Sequence, residues 1–308
     1  MRPIHPQRKL LEISAFAHIL RWGGKKRFHF ENITSMMPIL DNILKLTGLH
    51  KIGERNALDV VIKRTEISLN DLPVELDGIS FVLISDLHID GMPDRLIEKI
   101  LSELNNISYD YCLLGGDYRF RVRGSPLLAI ARMKDLVREL RKRTPVLGIL
   151  GNHDEYYIAD ELAKQGAEML MNEHVQLSRG GKSIYLVGLD DAHYYEAHDF
   201  EQAENGIPED GFKLLLCHSP ELYKEAWKRG YHLYMAGHTH GGQICLPWGI
   251  AVVQNARVPM AMGNGLWSYK SLQGYTTPGA GSSGIPVRFN CPPEISLLIL
   301  RRKTPSIQ

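Results

Sequence analysis

The sequence predicts an α/β fold in which an open mixed sheet stacks on a second sheet with helices outside, and three observations predict it. Short, nearly continuous apolar runs recur along the chain, the form taken by strands buried on both faces. In the first half these runs alternate with segments of helical periodicity. In the second half strands outnumber helices and are punctuated by turns at Gly180-Gly181, Gly241-Gly242 and Pro278-Gly279.

The runs are Val60 to Ile62, Ile79 to Ile84, Tyr111 to Leu114, Val146 to Leu150, Ile184 to Val187, Leu214 to Cys217, Leu233 to Met235 and Ile295 to Leu300. Between the early runs, Asp94 to Leu104 puts Leu96, Ile97, Ile100, Leu101 and Leu104 on one helical face, and Pro126 opens a helix reaching Arg143. Ahead of them all, Leu10, Ile13, Phe16, Ala17 and Leu20 recur at helical spacing before the basic cluster Lys25-Lys26-Arg27. That stripe reads first as packing on the protein's own core. An interfacial membrane helix is the second reading, because Glu12 and His18 dilute the basic face such anchors show.

Composition narrows the function classes. With 308 residues, 44% of them hydrophobic, the chain has material for one large domain with an appendage. A formal net charge of +1 gives no field that would make nucleic acid an expected partner. Four cysteines without a C-x-x-C pair speak against a disulfide framework and a zinc knuckle. No run approaches the roughly 18 apolar residues of a membrane span. A cytoplasmic protein is expected, with its basic N-terminal end able to touch the inner membrane peripherally.

The chemistry lies just after the strands. Asp86-Leu87-His88 follows one apolar run, and its alternate side chains can converge on one ion. Gly115-Gly116-Asp117 follows the next, its glycines letting the backbone turn sharply. Gly151-Asn152-His153-Asp154, Cys217-His218-Ser219-Pro220 and Gly237-His238-Thr239-His240 follow three more. Any one of these is a weak signal, and a single histidine is more often a satisfied core or surface residue. Five strand ends carrying ligand-type residues form a set, gathered where open α/β sheets place their sites. On the same grounds His174, His193, His198 and His232, which fit no such block, are read as ordinary residues.

Carboxylates, imidazoles and an amide suit Mn, Fe or Zn better than calcium, and the number of donors exceeds what one ion uses. Two ions bridged by a carboxylate, roughly 3.5–4 Å apart, is the economical arrangement. Arg119, Arg121 and Arg123 lie just beyond Asp117, where a guanidinium could clamp phosphate; a solvated loop is the equal alternative.

Through D-x-H, G-G-D, G-N-H-D, H-S-P and G-H-T-H in that order, residues 75 to 301 resemble the calcineurin-like metallophosphoesterase superfamily. The longer ending G-H-T-H-G-G-Q resembles a bacterial branch of membrane-associated phosphodiesterases and UDP-diacylglucosamine pyrophosphohydrolases. The resemblance implies a four-layer α/β/β/α sandwich, and the change to short β-rich runs from Ala57 onward puts the catalytic domain at residues 57–308, with residues 1–56 as a helical, basic extension that caps the site or meets a membrane. It implies two divalent ions, Mn first, with Asp86, His88, Asp117 and His240 on one and Asp117, Asn152, His218 and His238 on the other. It implies hydrolysis of a phosphodiester or pyrophosphate, with a lipid-linked nucleotide as the sharpest substrate, and a catalytic His153. A broad-specificity phosphodiesterase, a protein phosphatase and a non-catalytic scaffold are the alternatives. One departure stands out: the protein-phosphatase form G-D-x-x-D-R has an acid that pairs with the catalytic histidine, and here Phe120 replaces it. Asp154 or the Asp190-Asp191 pair is left as the expected partner of His153.

Overall fold

The apolar runs become strands of two six-stranded sheets, all of them inner except that at Val60 to Ile62, in the computed structural model, which describes residues 8–12, 37–122 and 124–303. The first sheet contains β1 (Val61–Leu69), β2 (Ser80–Ile84), β3 (Tyr111–Leu114), β4 (Val146–Gly148), β5 (Glu168–Met169) and the late strand β14 (Glu294–Arg302). Its order is β1-β14-β2-β3-β4-β5. Strands β2, β3 and β4 run parallel, with Val82 opposite Cys112 and Leu113 opposite Leu147. Strand β14 lies parallel to β1 and antiparallel to β2.

The second sheet contains β6 (Glu173–Arg179), β7 (Lys182–Gly188), β8 (Lys213–Leu216), β9 (Leu233–Ala236), β12 (Gly265–Tyr269) and β13 (Leu272–Thr276), in the order β12-β13-β9-β8-β7-β6. A two-stranded hairpin of β10 (Cys245–Leu246) and β11 (Ile250–Ala251) stands apart from both.

Strand alternation explains why the runs are continuously apolar. Phe81 and Leu83 of β2 join Leu113, Leu147, Leu214, Leu216, Leu233 and Met235 in a core between the sheets. Val82 and Ile84 point the other way, into a core with Leu96, Ile100 and Leu104 of α3 (Arg95–Leu104) and Met133, Leu136 and Leu140 of α4 (Leu127–Arg141). Beyond the second sheet, Leu215 and Tyr234 meet Phe200 and Ala203 of α6 (Phe200–Glu204) and Ala226 of α7 (Tyr223–Lys228). Helix, sheet, sheet and helix therefore stack in that order. Leu83 is fully buried, and truncating such a residue to alanine costs about 2–5 kcal/mol.

The N-terminal portion contributes two helices, α1 (Met37–Leu46) and α2 (Leu49–Asn56), joined through Gly48 in the left-handed region. Helix α2 docks on the segment that leads into β14. The Arg288 N–H donates to the Gly53 carbonyl at 3.0 Å, and Asn56 Nδ2 donates to the Arg288 carbonyl at 2.9 Å. Residues 8–12 form a separate helical turn in which Arg8 is wholly buried. The stripe from Ile13 to Leu20 and the Lys25-Lys26-Arg27 cluster lie outside the described residues. Among the described residues no helix is long and apolar enough to cross a membrane.

Candidate metal centre

Because β2, β3 and β4 are parallel in one sheet and β8 and β9 are parallel in the other, their carboxyl ends meet at one rim. The loop after β2 carries Asp86 and His88, that after β3 carries Asp117, and that after β4 carries Asn152 and His153. From the second sheet come His218 after β8, and His238 and His240 after β9. All eight side chains are buried.

The loops close tightly, and glycine makes this possible. A Cβ on Gly151 would fall 2.2 Å from Asp117 Oδ1, and one on Gly237 would fall 2.2 Å from Asp86 Oδ2. Asp86, His88, Asp117, His238 and His240 themselves adopt positive φ. Left-handed backbone at non-glycine residues is unfavourable and concentrates at sites where the surrounding structure enforces it.

The donor atoms converge. His88 Nε2 lies 3.1 Å from His240 Nε2, which lies 3.5 Å from Asp86 Oδ1. On the other side His218 Nε2 lies 3.3 Å from Asp117 Oδ2, and His238 Nδ1 lies 2.9 Å from Asn152 Oδ1. Asp117 Oδ2 is also 3.7 Å from His88 Nε2, so this carboxylate touches both halves. Metal bonds of about 2.0–2.2 Å to a shared ion place neighbouring donors about 3.0–3.5 Å apart. Three overlapping groupings, Asp86–His88–His240, His88–Asp117–His153 and Asp117–His218–His238, therefore bring donor atoms close enough together to hold a divalent ion.

Orientation supports the same fit. The Nδ1 atoms of His88, His218 and His153 lie 2.8, 2.8 and 2.9 Å from the carbonyl oxygens of Arg119, Gly115 and Phe120. A carbonyl only accepts, so each Nδ1 carries a proton, and each ring turns its Nε2 inward, the orientation that metal-ligating histidines take.

The electrostatics are strained without a cation. Burial, helped by Asp117, pushes the Asp86 carboxyl up to about 6. Burial and neighbouring His153 push the His88 imidazole down to about 3. At His218 burial is outweighed by Asp117 and Asp86, which raise its pKa to about 10. Burial also opposes ionisation of Asp117, yet His218 and His153 hold it well below the usual carboxylate range. Divalent cations among these groups would stabilise the carboxylates and replace protons on the imidazoles.

Two expectations change. Neither Asp154 nor the Asp190-Asp191 pair orients His153. Asp154 accepts the Tyr118 and Gly151 N–H groups, Asp190 pairs with Arg8, and Asp191 accepts the N–H groups of His193, Tyr194 and Tyr195. The partner is instead the Phe120 main chain. Arg119 takes the form of neither alternative, an open phosphate clamp or a solvated loop: its guanidinium is buried, with Nη1 2.6 Å from Glu155 Oε1 and Nη2 3.1 Å from the Gly124 carbonyl. Arg121 is exposed, and Arg123 lies outside the described residues.

The structure also adds residues. The His193 ring packs 4.2 Å from that of His238, and its Nδ1 lies 3.2 Å from Glu221 Oε1. The sequence did carry a signal for it, since Asp191-Ala192-His193 repeats the D-x-H spacing of Asp86-Leu87-His88 after a strand.

Residues 79–242 match the family model described as calcineurin-like phosphoesterase. The chain is 31% identical to the transmembrane protein with metallophosphoesterase domain of Danio rerio, over 87% of this chain and 63% of that one. It is 27% identical to the uncharacterized metallophosphoesterase YkoQ of Bacillus subtilis, over 79% of this chain and 92% of that one. It is 28% identical to the phosphodiesterase YaeI of Escherichia coli, over 71% of this chain and 81% of that one. With that match covering the rim loops, two mixed sheets between helices, and buried His/Asp clusters that fit a divalent metal centre, the chain belongs to the calcineurin-like phosphoesterase family.

Proposed function

We propose that the protein is a two-metal hydrolase of phosphodiester or pyrophosphate bonds. The observation that carries this reading is the spacing of donor atoms at the rim, 3.1 Å between His88 and His240 and 3.3 Å between His218 and Asp117. In this reading Asp86, His88, Asp117 and His240 hold one ion, and Asp117, Asn152, His218 and His238 hold the other. Mn is the first candidate, with Fe or Zn behind it. When bound, two such cations bring the pKa of water toward neutrality and offset the negative charge of a phosphoryl group. His153, its Nδ1 proton held by Phe120, directs Nε2 toward the centre to steady phosphoryl oxygens or to protonate the departing oxygen. Exposed Arg121 is the residue left to meet the outer phosphate.

The substrate reading is a lipid-linked phosphate compound, with UDP-diacylglucosamine of lipid A synthesis as its sharpest form and the G-H-T-H-G-G-Q branch as its basis. Two features support contact with a membrane surface. Ile39, Ile43 and Leu46 of α1 are exposed, and Trp248 at the tip of the β10–β11 hairpin is 92% exposed. The zebrafish relative is named a transmembrane protein. Residues 1–56 are then the membrane-facing extension of a catalytic domain at 57–308, on the cytoplasmic face of the inner membrane. A broad-specificity phosphodiesterase is the second reading, favoured by the name of the Escherichia coli relative.

Parallel assays of the Mn-loaded protein on UDP-diacylglucosamine, bis(p-nitrophenyl) phosphate and a phosphopeptide separate these readings. Turnover of the lipid nucleotide at a kcat/KM well above the other two supports the first. Turnover of the small diester alone overturns the lipid proposal, and turnover of none with two metals bound overturns the enzyme.

A further inference from the structure

Arg8 is wholly buried, and every polar atom of its guanidinium meets a partner. Nη2 donates to the Asp154 main-chain carbonyl at 2.8 Å, Nη1 to Asp190 Oδ1 at 2.7 Å, and Nε to Glu12 Oε1 at 2.9 Å. Its carbon lies 3.7 Å from the centroid of the Tyr195 ring. Asp154 closes the loop after β4 in the first sheet, and Asp190 opens the loop after β7 in the second. One guanidinium therefore ties together rim loops from both sheets.

Glu12 makes a second tie. Its Oε1 accepts the Tyr156 N–H at 2.7 Å, at the first residue of α5 (Tyr156–Ala163). The local N-cap residue, Glu155, makes no side-chain capping bond, so the cap comes from a residue 144 positions upstream. Asn152 and His153 thus sit in a loop held at Asp154 by Arg8 and at Tyr156 by Glu12.

The chemistry requires arginine. A planar fork satisfies three acceptors in fixed directions, whereas lysine offers one compact charge. A buried ion pair is a poor device for stability alone, since apolar replacements of similar volume are often at least as stable. Among the described residues, the partners of Arg8 outside its own segment belong to loops of the candidate site: Asp154, Asp190 and Tyr195.

We propose that residues 8–12 are a staple that sets the position of His153, with Arg8 as a positioning residue for phosphoryl transfer. The inference rests on the reading of His153 as a residue of the active centre.

The test uses the full chain, Mn-loaded, on bis(p-nitrophenyl) phosphate, below the thermal midpoint of every variant, with bound metal counted by elemental analysis. Arg8→Lys is expected to keep its metals and its KM while kcat falls at least about tenfold, since small misplacements from remote changes are costly in rate. The double variant Arg8→Lys/His153→Ala is expected to be no slower than His153→Ala alone, because a residue acting through His153 has nothing left to act on. Should Arg8→Lys fail to fold, Glu12→Gln is read the same way, with the same expected fall. With His153→Ala measurably slowed, wild-type kcat in the folded staple variant overturns the staple. So does a double variant slower by the full product of both losses. Wild-type activity in His153→Ala overturns the site reading itself, and the catalytic role of the staple with it.

Discussion

His153 Nδ1 lies 2.9 Å from the carbonyl oxygen of Phe120, so the position at which the chain departs from the protein-phosphatase pattern still provides the histidine's partner, from its main chain. A neutral carbonyl fixes the tautomer and ring angle without adding a charge to a centre already rich in carboxylates. His153→Ala should lower kcat by about 10²–10⁴-fold, the usual range for a positioned acid or base. Elemental analysis should find its metal content unchanged; loss of one ion would make His153 a ligand instead.

Asp117 is the carboxylate within reach of His88, His153 and His218, at 3.7, 3.9 and 3.3 Å. Asp117→Asn should lower hydrolysis at least about a hundredfold, as expected where one charge serves two ions. Steady-state kinetics on a chromogenic diester measure this, and near-full activity would contradict the bridge.

Gly151→Ala and Gly237→Ala place a methyl group 2.2 Å from Asp117 Oδ1 and Asp86 Oδ2 respectively. Each should destabilise the protein by about 1–3 kcal/mol, the common cost of overpacking, and reduce bound metal. Thermal melts and metal counts on the purified variants decide it; two intact variants with full metal would show that the loops yield more than their packing implies.

The metal-free protein should lose stability as the medium becomes alkaline. His218 has its pKa raised from 6.5 to about 10 by Asp117 and Asp86 against the opposing effect of burial. A raised folded-state pKa means that the folded form binds the proton more tightly. Its contribution is complete below pH 6.5 and disappears as pH rises toward about 10. The thermal midpoint of chelator-treated protein should fall across that interval, and His218→Gln should flatten the fall. A slope unchanged in the variant would assign the effect to another group.

The two arginines should separate. Arg119→Ala removes a buried partner of Glu155 and should lower the thermal midpoint, whereas Arg121→Ala should raise KM with a small effect on stability. Matching changes in KM for both would restore Arg119 to the substrate.

The strands that position the site were legible because both of their faces are buried: Phe81 and Leu83 face one core, Val82 and Ile84 the other, and the result in sequence is an unbroken apolar run. Ligand blocks at the ends of such runs could be read without knowing how the sheets stack. Strands β6 and β12 were not foreseen. Leu266 is 49% exposed while Trp267 beside it is buried, and such half-wet strands leave only a weak alternation among turn residues. The fate of Arg119 and the role of Arg8 were hidden for a different reason. Glu155 and Asp190 lie 36 and 182 residues away from them, and only the folded chain makes those pairs. His193 was missed although its spacing was visible, because a D-x-H without the other blocks is too common to weigh.

The insertion of β14 between β1 and β2 sets an order of events during synthesis. Among the described residues Val61–Leu69 pairs in the first sheet with Glu294–Arg302 alone, so β1 leaves the ribosome long before that ladder can form. The segment that leads into β14 holds the first ligand loop, through Ala280 N–H to the Ser85 carbonyl at 2.9 Å and Gly281 N–H to the Asp86 carbonyl at 3.0 Å. A nascent chain that has already produced all five ligand blocks therefore still lacks the brace behind Asp86.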